Sequence, residues 1–287
     1  MMCAESAVSD LITGECFLVS AVKEVIVRKV IHLSLLAGLC GLGTAPNCCA
    51  KGWTTIRGRI VYSENPPKMP LLKVTRDEDY CGSFGLKNEA LVVNQKNHGL
   101  RNVVIFLKNK EPVPVHSSYA KQAKAAVTLD NRQCRFIPRI QTLRTGQTLK
   151  ASSTDTIPHN VAVFAQRNDP FSQIIPQGKA LEKVFAKPES RPVKVDCSIH
   201  AWMRAYLVIT DHPYAVVTDE NGEFEIAHVP RGIRTFRFWH ERPGYVKAVT
   251  YNDTEQKLKY GNWDLDVTGD VLDLGELKVG ATMFEEK

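Results

Sequence analysis

The stretch that decides the fold is VKVDCSIHAWMRAYLVIT, residues 193–210. Two β-rich runs in it are joined by a short loop that holds Cys197, His200 and Met203. A tight loop between two strands can aim several side chains at one point. Because these three side chains offer nitrogen and sulfur donors, the stretch predicts a strand, loop and strand built around a metal-binding group.

The rest of the chain has the pattern of an all-β protein. Short β-rich runs recur between turn signals, at a spacing typical of β-sandwiches and barrels. The sequence DENG at residues 219–222 predicts a hairpin turn, residues 144–147 predict another turn, and residues 118–124 predict the only helix, a short one. The β-rich runs are residues 54–62, 90–94, 102–108, 125–129, 140–144, 160–164, 193–195, 205–210, 214–218, 223–226, 234–239 and 247–251.

The composition is typical of a globular protein, with 44% apolar and 24% charged residues in a chain of 287. That length is enough for two domains of ordinary size. The net charge of +6 implies only a weak preference for acidic partners. Because the basic residues are scattered and form no dense run with an aromatic ladder, we expect no nucleic-acid binding.

The first fifty residues have the pattern of a secretory signal. Arg28 and Lys29 precede an apolar run, residues 30–42, that is too short to span a bilayer. Small side chains at Cys48 and Ala50 follow, and cleavage after Ala50 fits a signal peptide. We therefore expect export to the periplasm or secretion, with a membrane anchor as the alternative if the segment stays uncleaved.

Export changes what the cysteines imply. Five of the eight cysteines fall within residues 1–50, which leaves Cys81, Cys134 and Cys197. In an oxidising compartment, an odd number of cysteines means that one thiol is left over or bound to something else.

Four side chains beyond the signal segment form a set of metal ligands. Three share the loop already quoted, and His159 lies upstream on a Pro-His-Asn corner. A copper ion that changes oxidation state is held by a thiolate and two imidazoles in a trigonal plane, with a weak axial thioether. Zinc is the main competitor, but methionine is a poor zinc ligand and structural zinc favours more cysteines. The pattern predicts one mononuclear type 1 copper bound by His159, Cys197, His200 and Met203.

Residues 127–210 resemble the cupredoxin family, whose members include plastocyanin and amicyanin. The resemblance implies the same four copper ligands and gives Asn160 a role in supporting the loop that bears the cysteine. It also implies that His200 is the ligand at the solvent edge, through which electrons enter. The matching motifs are Phe136-Ile137-Pro138, the turn at residues 143–149, the pair His159-Asn160 and the amicyanin-like spacing Cys197-x-x-His200-x-x-Met203.

Two residues in this region depart from the family. Trp202 stands inside the ligand loop, where it would shield the metal or form a docking surface. Cys134 could pair with Cys81, which would tie the N-terminal part of the chain to the copper domain, or with Cys197, which would abolish the copper site. We favour the pairing with Cys81, because it leaves Cys197 as the metal-bound odd thiol.

The sequence on either side shows a second resemblance. Residues 215–232 resemble the carboxypeptidase regulatory-like family, a transthyretin-like sandwich with the pattern Thr-Asp-x-x-Gly-x-Phe followed by a Pro-x-Gly turn. Residues 58–61, 66–67 and 102–107 fit its first half. The expected fold is all-β, a cupredoxin Greek-key sandwich inserted in or next to a transthyretin-like β-sandwich. The expected domains are residues 51–122 and 212–287 for the regulatory-like sandwich and residues 123–211 for the cupredoxin, after an upstream segment of residues 1–50.

The leading hypothesis is an exported one-electron carrier with a redox protein partner. We expect no enzyme activity, because four protein ligands leave no open position on the metal and regulatory-like sandwiches lack the peptidase residues. The alternatives are a periplasmic copper carrier or sensor, and a metal-free structural binding module with a Cys134–Cys197 disulfide. His240 is expected to be a strand-end histidine held by its neighbour Glu241 rather than a second site. The oligomeric state has no signal in the sequence.

Overall fold

The computed structural model describes residues 52–285, which form 19 strands and one α-helix, α1 (Glu78–Cys81). The fold is all-β, as the strand pattern predicts. The predicted signal segment lies outside the described residues. The described helices include none that is both long and apolar enough to cross a bilayer. The strands are β1 (Trp53–Tyr62), β2 (Val104–Leu107), β3 (Val127–Arg132), β4 (Arg135–Ile137), β5 (Ile140–Arg144), β6 (Thr148–Ser153), β7 (His159–Val163), β8 (Phe171–Ile175), β9 (Ala180–Val184), β10 (Val193–Asp196), β11 (Arg204–Thr210), β12 (Ala215–Val217), β13 (Glu223–Pro230), β14 (Gly232–His240), β15 (Gly244–Tyr245), β16 (Ala248–Tyr251), β17 (Thr254–Lys257), β18 (Asn262–Val267) and β19 (Val271–Val279).

Both ends of the described chain contribute to one sandwich, the flanking sandwich. In one of its sheets β1 lies between β13 and β19, in the order β13-β1-β19-β16-β17. In the other, β2 lies between β12 and β14, in the order β12-β2-β14-β15, and β18 also pairs with β14. Strands from before and after β3–β11 therefore share both sheets. Their apolar side chains form one core, which includes Ile56, Ile105, Phe236 and Leu277.

Strands β3–β11 form a second sandwich, the insert sandwich. Its sheets have the orders β5-β11-β10-β7-β8 and β4-β3-β6-β9. The core between them includes Leu129, Leu149, Val161 and Leu207. The insert sandwich thus follows β2 and precedes β12 in the chain. The exact domain boundaries and the regulatory-like relationship stay predictions.

Strand β11 explains why residues 205–209 are a continuous apolar run and do not alternate with polar residues. Leu207 and its alternate neighbours pack in the insert core. Tyr206 lies on the opposite face, in a cluster with Phe106 of β2 and Trp239 of β14. A strand that is buried on both faces appears in the sequence as a continuous apolar run. This cluster makes an apolar contact between the two sandwiches.

Two local predictions are wrong. Residues 118–124 form no α-helix; two 3-10 helices, Ser117–Tyr119 and Gln122–Lys124, with a turn between them, cover this part of the chain. Their mixture of small and polar side chains offers no apolar stripe that would stabilise a longer helix. Residues 90–94 form no strand in the described chain, and Val93 makes only an isolated bridge to Leu100. Residues 90–94 instead form a loop, and the side chain of Val93 in this loop is buried in the core.

Candidate metal centre

Three of the four predicted ligands converge in the insert sandwich. His159 begins β7, and Cys197 and His200 lie in the loop between β10 and β11. Nδ1 of His159 is 3.1 Å from Nδ1 of His200, and the latter atom is 3.8 Å from Sγ of Cys197. One ligand atom from each of the three residues lies within 4.8 Å of the others, and all three residues are buried.

These separations suit a single bound metal ion. Metal–nitrogen bonds are about 2.0–2.1 Å long and metal–sulfur bonds about 2.3 Å, so one ion can reach both imidazoles and the thiolate. Nε2 of His159 is 2.8 Å from a carboxylate oxygen of Asp155, and Nε2 of His200 is 2.8 Å from one of Asp77. When each carboxylate accepts the Nε2–H, both Nδ1 atoms keep a lone pair for the metal. Buried lone pairs of two imidazole nitrogens and a thiolate are costly when left without a partner, so a cation or a proton is needed between them.

The pKa values of the ligands reflect this arrangement. Burial by itself raises the pKa of Cys197, but hydrogen bonds from the two imidazoles and from the Asn160 N–H outweigh it and lower the pKa from 9.0 to about 6. Burial also lowers the pKa of His159, but Asp155 and the thiolate outweigh it and raise the pKa above its ordinary value. A thiolate and an imidazolium can therefore share the metal-free site. A bound metal ion would replace the proton, because metal binding to such ligands releases protons.

Asp155 organises one side of the centre. Besides His159, its carboxylate accepts hydrogen bonds from the N–H of Gln133 (2.6 Å), the N–H of Cys134 (2.8 Å) and the hydroxyl of Tyr80 (3.0 Å). Gln133 and Cys134 each have a φ of 53° and form the tight turn between β3 and β4. Left-handed backbone is costly for residues with a Cβ, and the two hydrogen bonds stabilise the turn. Burial raises the pKa of Asp155, but its hydrogen bonds outweigh burial and lower the pKa overall.

The other side of the centre is covered by residues 70–88, the cap segment, which lies between β1 and β2 in the chain. Backbone hydrogen bonds of 2.8 Å join its two arms. Asp77, which binds His200, comes directly before α1, and α1 ends at Cys81. A disulfide joins Cys81 to Cys134 in the β3–β4 turn. The cap segment is thus tied to the insert sandwich beside the ligands.

The disulfide confirms the favoured cysteine pairing. The alternative, a bond between Cys134 and Cys197, is wrong, because Cys134 lies in the turn next to the cap segment and is already bonded to Cys81. Cys197 is a free, buried cysteine in the ligand loop. The metal-free binding module that required a Cys134–Cys197 disulfide loses its structural basis.

The expected exposure of His200 is also wrong. Its side chain is 0% exposed, so it does not form a solvent edge. Asp77 occupies its Nε2, and the ring of Trp202 lies 5.2 Å from its ring, measured between centroids. The cap segment supplies Asp77 and covers His200. It lies upstream of residues 127–210, on which the expectation of an exposed His200 rested.

Asn160 and Met203 hold the ligand loop. The N–H of Asn160 donates to Sγ of Cys197 (3.3 Å), and its side-chain oxygen accepts the N–H of Ser198 (3.3 Å). The N–H of Met203 donates to the carbonyl of His200 (2.9 Å), and its carbonyl accepts the N–H of Cys197 (3.3 Å). The Met203 side chain is buried in the insert core. Its role as the axial ligand stays a prediction.

The sequence reasoning missed both carboxylates. Asp155 precedes His159 by one short loop, and that proximity was an available signal. Asp77 had no signal, because only the fold brings it to His200. Cys134, Asp155 and His159 also place ligand atoms within 4.8 Å of one another, but the disulfide removes Cys134 as a thiolate donor.

His240 lies at the end of β14 and is buried, as expected for a strand-end histidine. The expected contact with Glu241 is wrong, because both carboxylate oxygens of Glu241 accept hydrogen bonds from Arg139, at 2.7 and 2.8 Å. Nδ1 of His240 instead accepts the N–H of Arg242 at 3.3 Å. A guanidinium competes better than a neutral imidazole for a carboxylate, because the charge strengthens both hydrogen bonds.

No family model matches this chain, and no curated protein matches it. Among solved structures, a copper-containing nitrite reductase from Thermus scotoductus SA-01 is similar at 22% identity and a TM-score of 0.27, over 36% of this chain and 23% of that one. Amicyanin from Paracoccus versutus (Thiobacillus versutus) is similar at 20% identity and a TM-score of 0.27, over 37% of this chain and 96% of that one. A purple cupredoxin from Nitrosopumilus maritimus is similar at 20% identity and a TM-score of 0.25, over 30% and 99% of the two chains. At such low TM-scores the chemistry of the centre rests on its own residues.

Proposed function

We propose that this chain binds one copper ion in a type 1 site and carries one electron between redox partners. Copper would be held by His159, Cys197 and His200, with Met203 as a fourth, weaker ligand. The observation that carries the proposal is the convergence of two imidazole nitrogens and one thiol within 4.8 Å of one another in a buried space. A soft thiolate among imidazoles suits copper better than magnesium or calcium, which prefer oxygen ligands.

Copper would supply a one-electron couple when bound. The protein's own contribution is to hold the donor atoms in place and to exclude water. Asp155 and Asp77 fix the two imidazoles with Nδ1 available, and the Asn160 N–H stabilises the thiolate of Cys197. Because these contacts exist without the metal, little rearrangement is needed when the charge of the site changes by one.

Electron carriage is favoured over the other candidate functions. Four protein ligands leave no open position for a substrate, in contrast to catalytic metal sites. Copper delivery is less favoured, because every proposed ligand is buried and the cap segment is tied down by a disulfide. We also propose export, since the Cys81–Cys134 disulfide suits an oxidising compartment. The flanking sandwich would then dock a redox protein or an envelope surface.

Spectroscopy of the purified, copper-loaded protein tests the proposal. We expect an intense blue absorption band from thiolate-to-copper charge transfer and a reversible one-electron wave in voltammetry. Cys197→Ser is the matched control and should lack the band. A wild-type protein without the band and without the wave would contradict the proposal. Much tighter binding of Cu(I) than of Cu(II), with rapid transfer to a chelator, would support copper carriage instead.

A further inference from the structure

The burial of the ligands raises the question of where an electron enters. The exposed fractions are 0% for His159 and His200 and 2% for Cys197 and Met203. No partner can therefore contact a ligand directly. Because electron tunnelling slows steeply with distance, the best docking point is one where a residue in contact with a ligand reaches the surface.

Trp202 meets that condition. Its indole ring lies 5.2 Å from the ring of His200, centroid to centroid, and its Nε1–H donates to the carbonyl of Cys134 at 3.1 Å, which fixes the ring. Trp202 also lines a cleft with a volume of about 630 Å³. The lining also includes Leu72 of the cap segment and Lys247 of the flanking sandwich. We call this space the Trp202 cleft.

We propose that the Trp202 cleft binds a small redox-active anion, which is one of the two partners that an electron carrier needs. This inference rests on the proposed function and deepens it by naming a class of partner. In the bound complex, one electron passes between the anion and the copper. One of them is oxidised by one electron and the other is reduced by one, and no bond or proton is transferred.

The size of the cleft favours a small molecule. Small-molecule sites are concave and have volumes of about 300–1,000 Å³, and the Trp202 cleft falls within that range. Its walls come from the cap segment, the ligand loop and the flanking sandwich. Protein partners instead need a complementary surface of about 1,000 Å² or more. A protein docking on the same cleft would have to insert a narrow segment.

The charges around the cleft favour an anion. Arg139 and Glu241 form a nearly buried ion pair and offset each other. Lys247 is exposed and forms no ion pair with any residue in the range 52–285. The charged residues that line the cleft are four cations, Arg139, Arg204, Arg242 and Lys247, and two acids, Glu241 and Glu285. Arg204 is paired with Asp196, which lies outside the lining, at 2.9 Å. When the two ion pairs are set aside, the other charged residues of the lining are two cations, Arg242 and Lys247, and one acid, Glu285.

Oxidation of the Cu(I) protein by a charged inorganic complex tests the inference. Hexacyanoferrate(III), an anion, takes one electron and becomes hexacyanoferrate(II) while the blue band of the Cu(II) protein appears in stopped flow. We expect the rate to saturate with reagent concentration and inorganic phosphate to compete. Lys247→Glu should slow the reaction about tenfold, as expected when a steering charge is reversed. The cationic oxidant tris(phenanthroline)cobalt(III) should not be slowed by this variant.

Lys179→Glu is the matched control, because it changes the net charge equally. Lys179 is exposed in the turn between β8 and β9 and does not line the cleft. Its rate with hexacyanoferrate(III) should stay within about twofold of wild type. Trp202→Leu should lower the saturated rate while the blue band is retained.

Two results would overturn the inference. Equal slowing by Lys247→Glu and Lys179→Glu would mean that only net charge matters and that the anion does not dock in the Trp202 cleft. Competition by an acidic protein but not by phosphate would replace the small anion with a macromolecular partner. A wild-type protein without a blue band would instead defeat the proposed function itself, so the two failures are distinguishable.

Discussion

Two regions of the molecule each hold a buried histidine close to an acidic residue, and the histidines behave in opposite ways. His159 is 0% exposed, and hydrogen bonds to Asp155 and the thiolate raise its pKa despite burial. His240 is 1% exposed, and burial together with neighbouring arginines lowers its pKa from 6.5 to about 3. The difference lies in the carboxylate: Asp155 accepts from the imidazole, whereas Glu241 is bound to Arg139.

The comparison teaches that burial and a neighbouring acid in the sequence do not make a metal site. A carboxylate must be directed at the imidazole nitrogen that faces away from the metal, because it then fixes the other nitrogen as the donor. His159 and His200 both have such a partner, and each has the other's Nδ1 nearby. His240 has an edge contact with Phe284 instead.

The largest effect is expected from the thiolate. Cys197→Ser should abolish the blue band. It should also lower copper affinity by more than about 100-fold, because loss of a ligand is expected to cost more than loss of a ligand's hydrogen-bonding partner, which costs about 10–100-fold. His240→Phe should leave both unchanged. Absorption spectra and competition titrations with a copper chelator measure the two properties. If His240→Phe removed copper binding as well, the contrast between the two regions would be lost.

The disulfide should have the next largest effect. Replacing Cys81 and Cys134 together by alanine removes a cross-link across 53 residues, which should lower the free energy of unfolding by about 2–5 kcal/mol. Freed from its tether, the cap segment should also let a chelator extract copper faster. Urea unfolding and chelator kinetics in the absence of thiol reductants provide the measurements. Unchanged extraction kinetics would show that the cap segment does not limit access to the ligands.

The two carboxylates sharpen the comparison further. Asp155→Asn should lower Cu(II) affinity by about 10–100-fold, because one amide oxygen cannot replace an anion that accepts four hydrogen bonds. Asp77→Asn should have an effect near the lower end of about tenfold, since the Asp77 side chain is 37% exposed and one hydrogen bond links it to His200. Titration of both variants with Cu(II) measures the two affinities. The reverse order would mean that the cap segment, rather than Asp155, dominates the centre.

The last prediction concerns the pH dependence of the free energy of unfolding and rests on His240. Because its pKa is lower in the folded protein than the ordinary value of 6.5, the unfolded chain binds more protons between pH 6.5 and about 3. Stability should therefore fall as pH decreases through this window, with this residue contributing about 1.4 kcal/mol per pH unit. His240→Phe should lose that contribution. Unfolding curves of both proteins at pH 7 and pH 5 measure the difference, and parallel pH dependences would contradict the expectation.

Local patterns explain what could be predicted from the sequence. The spacing of Cys197, His200 and Met203 predicted that they share one loop, and all three are buried there. The β-rich runs predicted most of the strands. Strands β8 and β9 were missed because each lies at the edge of its sheet and carries exposed apolar residues, Ile174 and Val184, in a pattern without clear alternation. The last strands, β17, β18 and β19, are rich in charged residues and were also missed.

Long-range contacts explain what could not be predicted. The hydrogen bond from His200 to Asp77 joins residues 123 positions apart, and no periodicity marks either of them as a partner of the other. Burial of His200 was mispredicted for the same reason, because the covering cap segment belongs to the chain before β2. The cysteine count did anticipate the link between these regions, since pairing Cys81 with Cys134 left one thiol over.

The disulfide also decides how the molecule can be dissected. A fragment of residues 123–211 would contain all four proposed ligands but would lack Asp77 and Cys81. Cys134 would then be an unpaired thiol in the same small fragment as Cys197, and oxidation between them would consume the copper ligand. A fragment meant to keep the proposed metal centre therefore has to extend upstream through the cap segment. An excised insert sandwich would therefore differ in its cysteine chemistry from the same sandwich in the full chain.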